Sequence, residues 1–67
     1  PYHIIVGAFG SESNANRLAE KLRSEGNTVK VGPGRGLTLV SINSFATKAE
    51  ANAALSNYEG AWVYFWE

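Results

Sequence analysis

The feature that most constrains this chain is an internal repeat. Displaced by 36 positions the sequence overlays on itself, with Phe9 on Phe45, Ala15 on Ala51 and Asn16 on Asn52. The neighbours agree in type: Ile4 meets Val40, Val6 meets Ile42, Ala8 meets Ser44, Ser11 meets Thr47 and Ala19 meets Leu55. A repeat of this kind is one supersecondary unit that cannot bury its apolar face alone, so the two copies must share a core. The 67 residues leave room for one domain, residues 1–67, because so short a chain buries only about 60% of its unfolded surface. A cleft between two lobes is excluded, and any ligand sits on an exposed surface or in a shallow groove.

Each half reads strand, then helix. Tyr2 to Val6 is rich in β-branched and aromatic residues, and Gly7 permits a bend before Phe9. Ser11 or Ser13 can cap the helix that follows, whose stripe is Ala15, Leu18, Ala19 and Leu22, with Gly26 where a left-handed C-terminal residue is wanted. In the second half Thr47 and Glu50 form a capping box ahead of the stripe Ala51, Ala54, Leu55 and Tyr58. Two further strands are expected at Thr28 to Val31 and Ala61 to Trp66, and the segment Gly32-Pro33-Gly34-Arg35-Gly36 reads as a five-residue hairpin turn. The order β-α-β-β-α-β predicts an α+β fold of the ferredoxin-like split βαβ type. Its four strands form an antiparallel sheet with both helices on one face.

Helices on one face leave the other free, and strand parity decides what lies there. Ile4, Val6, Val40, Ile42, Val29 and Val31 are assigned to the helix side, and Leu18, Leu22 and Leu55 are expected to be buried against them. The alternates His3, Ile5, Thr28, Lys30, Leu37, Leu39 and Ser41 then face outward, with several exposed aliphatics that mark a partner, a ligand or a dimer. On the last strand small Ala61 and Val63, with Phe65, are placed inside. Trp62 and Tyr64, whose polar atoms favour a wet edge, are placed outside; the competing reading makes Trp62 a core plug. Lys30 and Arg35 stand apart from the helical charges, which can pair locally, and are the cations most available to an anion.

Chemistry is sparse. Six basic residues balance six acidic ones, which argues against a nucleic-acid partner, since such proteins carry a basic stripe. No cysteine is present, so there is neither a disulfide framework nor a thiolate metal site. His3 has no evident partner for acid-base, nucleophilic or metal chemistry, and the acids form no carboxylate pair suited to glycoside hydrolysis. No catalytic residue, metal site or cofactor is expected, and no apolar run approaches the length needed to insert in a membrane.

The residues Ile4-Ile5-Val6-Gly7-Ala8-Phe9, Ala19-Glu20-Lys21-Leu22, Gly34-Arg35-Gly36-Leu37, Val40-Ser41-Ile42-Asn43-Ser44-Phe45 and Ala49-Glu50-Ala51 together resemble the SPOR domain family. Their order and spacing carry the resemblance more than any one motif does. It implies a non-catalytic domain of cell-envelope proteins, in the periplasm, that binds peptidoglycan glycan strands stripped of stem peptides and is commonly enriched at division septa. The glycan site it implies, combined with the parity above, comprises Ile5, Ala8, Lys30, Arg35, Leu37, Leu39, Ser41, Trp62 and Tyr64. Ile5 stands where the family often has glutamine and Leu39 where arginine is common, and Asn43-Ser44 replaces a glycine-proline pair. These departures make the face more apolar than is usual in the family. Two other readings share the face: a protein-interaction or homodimerising module, and a single-strand RNA binder, for which the basic field and third-strand aromatics are missing.

Overall fold

The computed structural model describes residues 1–66. The elements are β1 (Tyr2–Phe9), α1 (Glu12–Ser24), β2 (Val29–Gly34), β3 (Leu37–Phe45), α2 (Lys48–Leu55) and β4 (Trp62–Phe65). This is the βαββαβ order read from the repeat. The four strands form one antiparallel sheet in the order β2-β3-β1-β4, so the two repeat strands β1 and β3 lie side by side at its centre.

The ends of the elements follow from local chemistry. Gly26 has φ +94°, and the Asn27 and Gly26 amides donate to the Leu22 and Arg23 carbonyls at 3.2 and 3.0 Å, a Schellman closure of α1. Thr47 caps α2: its Oγ1 accepts from the Glu50 amide at 3.2 Å and donates to Glu50 Oε1 at 2.9 Å. Ser11 occupies the N-cap of α1 without a capping side-chain bond; its hydroxyl lies 3.1 Å from that of Ser13. The hairpin differs from the expectation of a five-residue turn. Strands β2 and β3 pair as far as Gly34 and Leu37, leaving Arg35 and Gly36 as a two-residue turn with φ +54° and +74°. Positive φ at both positions is what a tight right-twisted hairpin requires.

The repeat extends to the irregularities of the sheet. The pairing of β1 with β3 shifts between Ile5 and Gly7, where Val6 is extra, and between His3 and Ile4, where Asn43 is extra on β3. Asn43, at φ +63°, is held by its amide on the Thr28 carbonyl at 2.9 Å and by its side-chain amide on the Tyr58 hydroxyl at 3.1 Å. Bulges of this kind bend strands and re-aim side chains. The one in β1 puts Val6 and Gly7 together on the helix side, where a Cβ on Gly7 would meet Leu18 Cδ2 at 2.8 Å. It also returns Ala8, opposite Leu39, to the other face, a change of phase that strict alternation misses.

The core is thin and built on small residues. Ala15, Ala19 and Ala51 are fully buried with Ile4, Val40 and Ile42, and the alanines let the helices sit close on the sheet. Val6, Leu18, Leu22, Val29 and Val31 pack against Ala15, Ala19 and Val40 while staying partly exposed. Full burial was expected of Val6, Leu18, Leu22 and Leu55, but all four are half-buried, because two short helices cannot cover a four-stranded sheet. Phe65, placed inside by its parity, is 52% exposed. Its ring packs edge-on against Tyr2 at 5.2 Å.

Candidate binding face

Residues directly opposite in a sheet share a face, so the register defines the helix-free surface. Ile5 pairs with Ser41 and with Trp62, His3 with Ser44 and Tyr64, Ala8 with Leu39, and Lys30 with Ser41. The parity read from the repeat therefore holds, and Ile5, Leu39 and Ser41 do face away from the helices. Their expected exposure does not hold. Ile5 and Leu39 are 0% exposed and Ser41 1%, leaving Leu37, at 41%, as the exposed aliphatic of the face.

Aromatic side chains cover the floor. Trp62, Tyr64 and Trp66 recur at every second position, and the rings contact in turn at 5.7 Å and 5.6 Å with interplanar angles of 88° and 76°. The row crosses to the far edge of the sheet, where the Trp66 indole N–H donates to the Pro33 carbonyl of β2 at 2.9 Å. The Trp66 amide donates to the Pro1 carbonyl at 2.8 Å, and its ring meets His3 edge-on at 5.0 Å. The edge strands β2 and β4 are thereby bridged across the free face. Gly32 and Gly34, read from sequence as turn residues, are the seats of these rings. A Cβ at Gly32 would stand 3.2 Å from Trp66 Cζ2, and one at Gly34 would press on the Tyr64 ring at 3.1 Å and collide with Leu39 Cδ1.

Both cations singled out by sequence lie on this face, each against an indole. Lys30 Nζ is 4.9 Å from the centre of the Trp66 ring and Arg35 Cζ is 4.7 Å from that of Trp62, within cation–π range. Beside Lys30 a pocket of about 190 Å³ is lined by His3, Thr28, Lys30, Ser41, Asn43 and Ser44. Ser41 Oγ is turned to the Lys30 carbonyl at 3.3 Å. Burial and then the Lys30 ammonium hold the His3 imidazole below its ordinary pKa of 6.5, so at neutral pH it is an uncharged donor and acceptor.

Of the nine residues expected at the site, Ala8, Lys30, Arg35 and Leu37 are exposed and Trp62 and Tyr64 half-buried, while Ile5, Leu39 and Ser41 form the covered floor. Trp62 is not a core plug, since its ring lies on the helix-free face. Trp66, His3 and the Pro33 carbonyl were missing from that set. The alternation Trp62, Tyr64, Trp66 was the available signal for the first. Among the described residues no three histidine, cysteine or acidic side chains gather as metal ligands, and no helix is long and apolar enough to cross a membrane.

A sheet with helices behind it and aromatic rings interleaved with cations in front is the architecture of a small binding module. Neither a curated protein nor a solved structure matches the chain. A family model does: the chain belongs to the SPOR domain family, matched over residues 1–64. That family consists of peptidoglycan-binding domains of cell-envelope proteins and is in general non-catalytic. Trp66 lies just beyond the matched span.

Proposed function

We propose that the domain binds glycan strands of peptidoglycan lacking stem peptides, through the helix-free face of its sheet, and so brings a parent protein to the cell wall in the periplasm and to the division septum. The observation that carries this reading is the row Trp62, Tyr64, Trp66 with Lys30 and Arg35 set against it. Pyranose rings present C–H faces that pack on aromatic surfaces, and sugar sites combine such surfaces with a few polar groups. A strand without its peptides exposes the lactyl carboxylate of N-acetylmuramic acid, which Lys30 or Arg35 can receive. Ala8 and Leu37 extend the contact surface along the sheet, and Ile5, Leu39 and Ser41 support it from beneath.

The reading of a self-associating module loses much of its basis, because Ile5 and Leu39, the aliphatics that suggested it, are covered within the monomer. Cosedimentation separates the two. Binding to amidase-treated sacculi but not to intact sacculi is expected; concentration-dependent dimerisation without cosedimentation would reverse the assignment.

A further inference from the structure

Trp66 and Trp62 each have one ring face occupied, by Lys30 at 4.9 Å and by Arg35 at 4.7 Å. A sugar that stacks on either occupied face must first displace a cation, and the displaced cation then needs a new anionic partner. A neutral sugar offers none. We propose that these two cation–π pairs are a selectivity device, which admits to the indoles an acidic glycan whose carboxylates take up Lys30 and Arg35 and penalises a glycan of the same shape without them. The inference rests on the glycan-binding reading above and adds to it the charge that the ligand must carry.

The two pairs are built for exchange. Lys30 and Arg35 are themselves exposed, on flexible stems that can swing from ring to carboxylate without disturbing the sheet. Their rings are fixed: Trp66 by Pro33 and by its seat over Gly32, Trp62 by its edge contact with Tyr64. The cations stand at different places on the face, one on β2 and one in the β2–β3 turn. A ligand that satisfies both therefore carries more than one carboxylate along its length, as a polymer with an acid on alternate sugars does. Displacing both cations without replacement weakens binding by about fivefold to thirtyfold, the equivalent of two exposed cation–π contacts.

The test compares soluble denuded glycan chains with the same chains after conversion of their lactyl carboxylates to primary amides, by titration calorimetry on the wild-type domain and on Lys30→Gln/Arg35→Gln. The wild type is expected to prefer the acidic chains by at least fivefold. The double variant should lose that preference while binding the amidated chains more tightly than the wild type, since its indoles are no longer capped. A gain of that kind cannot come from diffuse charge attraction. Equal wild-type affinity for the two chains, or variant affinity for the amidated chains that is unchanged or reduced, overturns the selectivity device and leaves glycan binding standing. Failure of the wild type to bind either chain removes both proposals.

Discussion

Trp66→Ala removes the bridge between the two edges of the sheet, and its cost can be assembled from the contacts of that one side chain. The indole N–H bond to the Pro33 carbonyl contributes about 0.5–1.5 kcal/mol net. The Lys30 contact contributes about 0.5–1 kcal/mol, and the edge contacts with His3 and Tyr64 about 0.5–1.5 kcal/mol each. The ring is only half-buried and its neighbours are solvated, so the lower half of each range applies and the loss is about 2–4 kcal/mol. At about 4–8 °C per kcal/mol for a domain of this size, thermal unfolding followed by circular dichroism should show Tm lower by about 8–30 °C. Trp66→Phe keeps a ring against His3 and Tyr64 but cannot donate to Pro33, and should lose about 1 kcal/mol. A Trp66→Ala protein melting within about 2 °C of the wild type would mean that Trp66 does not tie the two edges together and that Ile5 and Leu39 are covered by the other rings alone.

Two further outcomes follow from the same structure. Ile42→Ala empties a position that is 3% exposed between Ile4 and Val29 and should cost about 2–4 kcal/mol in denaturant titration, a large part of the stability of so small a domain; an unchanged midpoint would mean that the site collapses without loss. His3 is held below its ordinary pKa, so below pH 6.5 the unfolded chain binds its proton before the folded domain does. Stability is therefore full above pH 6.5 and falls as pH drops through the window beneath it, and His3→Gln should flatten the Tm profile just below about pH 6.5.

Much of the fold was legible because the repeat supplied each assignment twice. Ala15 and Ala51 are buried in corresponding turns of the two helices, Ser11 and Thr47 hold corresponding N-caps, and the bulges at Val6 and Asn43 fall at neighbouring positions of the repeat. Alternation fixed which side of the sheet each residue faces, and Ile5, Leu39, Ser41, Trp62 and Tyr64 all lie on the expected side. Exposure was not legible, because burial on the free face is decided by side chains arriving from the opposite edge. Gly32 and Gly34 resemble turn residues in sequence, and only the path of Trp66 across the sheet shows that their missing Cβ atoms make room for rings. Ala8 shows the same limit at the level of the backbone: its face depends on a bulge that no local pattern announces. Lys30 and Arg35 were identified by their isolation from acidic neighbours, but their seats on two indoles depend on tertiary geometry.

Glycan binding on the helix-free face is tested by a backbone and indole amide shift titration of the labelled domain with soluble denuded glycan. Progressive shifts are expected at Ala8, Lys30, Arg35 and Leu37 and at the Trp62 and Trp66 indoles, with α1 and α2 unmoved. Shifts concentrated on Arg17, Lys21 and the exposed side of α2, with the two indoles silent, would contradict it.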